Sequence, residues 1–243
     1  MVKRRIAPKS HSVYTGGMSK GILIAGNDSA LLSAIEAETA ERTGRYALAF
    51  IPNRFSEFRG KSSGATAASQ ESARILLDWN PGSPVSARSL VLASENRLER
   101  IDEALLVCAP PSISCAAADL KHVDVEVMAN DNIKSWFFLV RELAASFKRR
   151  GQGTLALVYP EAGIGGKGDD ADILGSVAVA SFRSLAQRLL ATATGEAYVV
   201  QGFTSGETGN EAAFASFIFK QLDDTKRRAG GKLHKYGRSG FFK

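Results

Sequence analysis

The residues best suited to chemistry gather at the end of one short apolar run. Gly21-Ile22-Leu23-Ile24-Ala25-Gly26 is followed at once by Asn27, Asp28 and Ser29. A buried strand that stops at glycine and turns into a helix presents free backbone N–H groups to an anion. Gly26, Asn27, Asp28 and Ser29 are therefore candidate ligand-binding residues, although Asp28 sets a negative charge beside any anion bound there. Arg54, just after a second apolar run, offers a guanidinium fork for a phosphate oxygen, and Cys108 lies near the end of a third run, Ala104 to Ala109. Each has a plainer reading: Gly26 as a strand-ending turn, Arg54 as a solvated arginine, Cys108 as a small buried residue. Other chemistries find little support. His11, His122 and His234 are scattered, no Cys/His/carboxylate cluster has metal-ligand spacing, and there is no Walker loop. Glu161 to Asp172 combines four glycines with Asp169, Asp170 and Asp172, and is read as a solvated loop rather than a cation site, so no metal is expected.

The elements that must position these residues alternate along the chain. Gly21 to Gly26 is the first strand, and Asp28 and Ser29 can cap a helix carrying Leu31 and Ile35 until Gly44. Tyr46 to Ile51 is the second strand, closed by Pro52-Asn53. Gly60 to Ser69 reads as a loop leading to a helix through Ile75 and Leu77, which Trp79-Asn80-Pro81-Gly82 breaks. Ser89 to Ala93 reads as a third strand and Ala104 to Ala109 as a fourth, leaving room for only a very short helix between them. From Asn132 to Arg150 the apolar positions follow a period near 3.6, giving a long amphipathic helix. Thr154 to Tyr159 is strand five, Ile173 to Ala193 a second long helix, Ala197 to Gln201 strand six, and Ala212 to Leu222 a closing helix. This alternation predicts an α/β fold: a Rossmann-type, doubly wound parallel sheet in a single domain over residues 20–225.

The order of these elements over about residues 20–205 resembles the short-chain dehydrogenase/reductase family. Ile24-Ala25-Gly26 resembles the family's first strand and opening glycine, and Ala104 to Ala109 stands where its Asn-Asn-Ala-Gly strand does. Asn132-Ile133-Lys134-Ser135-Trp136-Phe137 is similar to the helix with its asparagine, Gly153 to Val158 to the strand before its serine, and Phe182-Arg183-Ser184-Leu185-Ala186 to the helix after its Tyr-x-x-x-Lys pair. The resemblance implies a nicotinamide cofactor on a Gly-x-x-x-Gly-x-Gly loop and proton transfer by a tyrosine that a lysine one helical turn later activates. Counted from Gly26, the later glycine places hold Ala30 and Leu32, so the expected cofactor is none, or NAD(P) bound weakly. The serine, tyrosine and lysine places hold Pro160, Ala171 and Gly175. No tyrosine in the chain has a lysine four residues on: Tyr14, Tyr46, Tyr159, Tyr198 and Tyr236 are followed at that distance by Met18, Phe50, Gly163, Gly202 and Gly240. Of the family's catalytic set only Asn132 survives, as a vestige, and no catalytic residue is expected. The function that follows is a catalytically inactive, dehydrogenase-like protein acting by protein–protein interaction. The alternative is a divergent NAD(P)-dependent oxidoreductase working through Tyr159 or Glu161.

Charge and composition bound the partners. The net charge of +6 is carried by the ends: residues 1–20 hold five basic groups and 226–243 seven, with no acid in either, leaving 19 basic residues against 25 acids between them. Residues 1–19 are read as a basic, flexible extension and 226–243 as a basic tail. Neither shows aromatic interleaving or a reading motif, so a nucleic-acid partner is not expected. No apolar stretch approaches a membrane span, and two cysteines, Cys108 and Cys115, suit a reducing compartment; the expectation is a cytoplasmic protein. Self-association is also expected: Trp136, Leu139 and Leu143 form a second apolar stripe beside Ile133, Val140, Ala144 and Phe147, while Gly175, Ala178 and Ser181 on the next long helix would admit a close neighbour.

Overall fold

The computed structural model describes residues 20–43, 45–55, 74–161, 172–207, 209–224 and 230–237. The basic segment 1–19, Gly44, the stretch Gly60 to Ser69, Ala171 and most of the glycine-rich loop before it lie outside the described residues. Among those described, seven parallel strands form one sheet: β1 (Ile22–Asn27), β2 (Tyr46–Ile51), β3 (Arg74–Leu76), β4 (Glu103–Val107), β5 (Thr154–Pro160), β6 (Val199–Ser205) and β7 (Lys232–Tyr236). Their spatial order is β3-β2-β1-β4-β5-β6-β7. The order reverses between β1 and β4, and this switch point is where such sheets open a ligand crevice. The fold is a single α/β domain with a Rossmann-like doubly wound sheet, as the alternation predicted.

Helices cover both faces because successive strand residues point to opposite sides. Leu23 and Ala25 of β1 join one cluster with Leu90 and Val91 of α2 (Pro84–Leu98), Trp136 to Phe147 of α4 (Ser135–Arg150) and Phe182 to Leu190 of α5 (Ile173–Thr192). Ile22 and Ile24 join the other, with Leu31, Leu32 and Ile35 of α1 (Ala30–Arg42) and Phe214 to Leu222 of α6 (Glu211–Asp223). A short helix, α3 (His122–Ala129), runs into α4 through a π-helical turn at Asn130–Lys134. Gly151 ends α4 in the left-handed conformation (φ 69°), as a helix-terminating glycine does.

Three sequence readings are corrected. Ser89 to Ala93 is not a strand but the middle of α2, a 15-residue helix where only a very short one had room. Ser83 caps it and Pro84 occupies its first turn, which are helix-start signals. The run Leu90-Val91-Leu92 imitates a strand only because two of its members face the core while Leu92 is 46% exposed. The stretch read as a helix through Ile75 and Leu77 contains the three-residue strand β3, too short for any period to show. The segment read as a basic tail contributes β7, which pairs with β6 from Gln201–Lys232 to Ser205–Tyr236. Its lysines stand at the sheet's edge, where charge discourages further strand pairing.

Candidate functional site

The C-terminal ends of β1, β2, β4 and β5 bring most of the candidate residues together. Ser29 caps α1, its Oγ accepting the Leu32 N–H at 3.1 Å, so one of the helix's free donors is already used. Leu32 is 1% exposed and belongs to the core between α1 and the sheet. A Cβ on Gly26 would lie 2.6 Å from the Val107 carbonyl oxygen and 3.0 Å from Leu32 Cδ1. Gly26 is thus required by the close approach of β4 and by the Leu32 side chain packed against the strand end. Asp28 is exposed beside it and places a negative charge at the mouth.

Asn27 bridges the switch point itself. Its Oδ1 accepts the Ala109 N–H at 3.2 Å, beyond the end of β4, and its Nδ2 donates to Asn132 Oδ1 at 2.6 Å. Both asparagines are buried. Asn132 sits in the π-helical turn, a distortion that recurs at functional positions; here it receives a hydrogen bond from the protein's own Asn27. Cys108 is fully buried, and burial pushes its thiol well above the usual range, so it is inert packing.

Arg54 meets a carboxylate instead of a phosphate. Its Nε lies 3.4 Å from Oδ2 of Asp131, which is 0% exposed and whose two oxygens accept no hydrogen bond. Burial raises the Asp131 carboxyl and Arg54 lowers it, the first effect being the larger. A buried carboxylate needs a compensating cation, which is the physical reason Arg54 turns inward.

At the end of β5, Tyr159 is 2% exposed with its ring 6.0 Å from that of Phe182. Burial pushes its phenol up, against a lowering by Arg183, so it is poorly prepared to exchange a proton near neutrality. Pro160 pairs with Ser205, and Glu161 is ion-paired to Lys235 at 3.0 Å. Asp172 caps α5: its Oδ1 accepts the Gly175 N–H at 2.9 Å and the Ile113 N–H at 3.1 Å. A Cβ on Gly175 would come within 2.9 Å of the Asp172 carboxyl carbon, so the capping carboxylate packs directly on that position and would have to shift for any longer side chain.

Compared by sequence, the chain matches no family model and no curated protein. Compared by structure, it superposes on a short chain dehydrogenase from Mycobacterium smegmatis with a TM-score of 0.68 at 11% identity, covering 91% of this chain and 93% of that one. The fold is that of the short-chain dehydrogenases/reductases. Acetoin dehydrogenase YohF from Salmonella typhimurium gives a TM-score of 0.67 at 12% identity over 90% and 95% of the two chains. ElxO, solved with NADP bound, gives 0.68 at 14% over 90% and 97%.

At the residues that the resemblance assigns to a dinucleotide, Leu32 stands at the third glycine place, Asn27 is hydrogen-bonded to Ala109 and Asn132, and Arg54 lies against Asp131. Among the described residues a depression of about 570 Å³ does open, but at the opposite edge, where Lys20, Arg100, Asp102, Glu103 and Glu196 ring the start of the strands. It is remote from the strand ends where this fold places its ligands. Sequence reasoning passed over Asp131 and the capping role of Asp172. The second was readable in principle as an acidic residue one position before a helix; nothing in sequence marks the first.

Proposed function

We propose that this chain uses a short-chain-dehydrogenase fold without that family's proton-transfer chemistry and acts through protein–protein interaction. The observation that carries the reading is the start of α5, where Asp172 covers Gly175 at the place of the family's lysine. The absence of any Tyr-x-x-x-Lys in the chain agrees with it. The fold itself favours a second reading, a divergent NAD(P)-dependent oxidoreductase, because it is shared over nine-tenths of the chain with oxidoreductases. In that case the proton would come from Tyr159 or Glu161. Incubation with NADH or NADPH and a panel of alcohols, ketones and quinones separates the two. The expected result is no nucleotide oxidation or reduction above the protein-free background; turnover that Tyr159→Phe or Glu161→Gln abolishes would establish the second reading.

Self-association belongs to the same proposal, but its surface must be moved. Trp136, Leu139 and Leu143 are 0–1% exposed within one chain, and Gly175 and Ala178 are buried too, so the second stripe of α4 is internal. Phe137 on α4 and Val177 on α5, 49% and 52% exposed, are the large apolar residues these two long helices leave open. An isologous contact would cover them on both subunits. Light scattering at micromolar concentration is expected to give a dimer or tetramer that Phe137→Glu dissociates; a monomer mass for the parent chain would remove this part of the proposal.

A further inference from the structure

Two consecutive residues after β2 reach across the C-terminal edge of the sheet in different ways. Arg54 extends to Asp131 in the π-helical turn, and this contact at 3.4 Å is that carboxylate's sole partner among the described residues. Phe55, 7% exposed, enters an apolar cluster with Ile113 from the loop after β4, Met128 of α3, and Leu174 and Ala178 of α5. Cys115 and Ile133 pack against the same cluster. One residue is thus held by charge in a water-poor setting and the next by apolar burial, and together they tie the end of β2 to the elements beyond β4. Asn27 spans the switch point as well, through Ala109 and Asn132.

We propose that Arg54 and Phe55 form an intramolecular strap that closes the ligand crevice of this fold, with Asp131 as its charged anchor. The strap does not depend on whether the chain is an enzyme; it determines whether anything reaches the crevice at all. Removing the guanidinium leaves the buried carboxylate uncompensated, so the Asp131 carboxyl takes up a proton or the turn opens to water, and either way the attraction that holds residue 54 is lost. Asp131→Asn keeps the side chain's shape but removes the charge that holds Arg54, and gives a second, gentler way to release the strap.

The test reads local opening in the full chain. With Cys108→Ala as background, Cys115 is the remaining thiol and sits against the strapped cluster. Arg54→Met, Phe55→Ala and Asp131→Asn should each speed its labelling by N-ethylmaleimide about tenfold, and Arg54→Lys, which keeps the charge, should stay within about twofold of the parent. Hydrogen exchange should rise in residues 109–116 and 127–135 while β5 and α6 keep their protection. Labelling unchanged in Phe55→Ala and Asp131→Asn would overturn the strap. So would exchange that rises equally throughout the chain, since Arg54 and Phe55 would then be ordinary contributors to global stability.

Discussion

Replacing Trp136 by alanine should lower the unfolding free energy by about 3–5 kcal/mol, the usual cost of emptying a large aromatic site. In a domain of this size that is a fall in Tm of roughly 6–20 °C. Trp136 is 1% exposed and meets Phe182 edge-on at 5.0 Å, so it joins α4 to α5. These are the helices that follow Asn132 and carry Gly175, and the site's geometry rests on their contact. Its indole Nε1 is buried and has no hydrogen-bond partner. An orphaned donor of that kind costs about 1–3 kcal/mol, which Trp136→Phe recovers while losing only part of the ring volume. The phenylalanine variant should therefore sit within about 1 kcal/mol of the parent. Urea unfolding of both variants checks this; equal losses for alanine and phenylalanine would show that the indole N–H is satisfied and that its role is polar.

The sequence disclosed the half of the molecule whose signals are local. Tyr46 to Ile51 is a strand at those bounds because six consecutive residues with almost no polar atoms suit a strand buried on both faces. Ser29 caps α1 because a side-chain oxygen at that point competes for a helix donor. The misreadings arose where two patterns share residues. Leu90 and Val91 lie side by side in sequence and both face the core, which in a helix needs only adjacent positions on a broad apolar face. The two lysines and one histidine of β7 look like a solvated tail until β6 supplies a neighbour to pair with.

For the site, the departures from the arrangement that the resemblance implies, at Gly175, Pro160 and Leu32, stand in the sequence itself, and the contacts found there do not. The contacts that stand in its place, Asp172 to Ile113, Asn27 to Asn132 and Arg54 to Asp131, join residues 59, 105 and 77 positions apart. No periodicity or short motif links residues so far apart, and only the folded sheet brings them together.

The largest effect expected concerns the dinucleotide itself. The proposed reading expects weak dinucleotide binding, because three features stand at the places where the resemblance implies a cofactor loop. Leu32 fills the third glycine place with a buried side chain, Asp28 adds a negative charge where a diphosphate would approach, and Asn27 bridges Ala109 and Asn132. Arg54, three residues after β2, is engaged by Asp131. The account's central claim is that this fold is used without dinucleotide chemistry, and calorimetric titration of the full chain with NADPH and NADH tests it most directly. The account predicts a dissociation constant weaker than about 1 mM, near −4 kcal/mol, for both. A micromolar constant for either nucleotide would contradict it and restore the oxidoreductase reading.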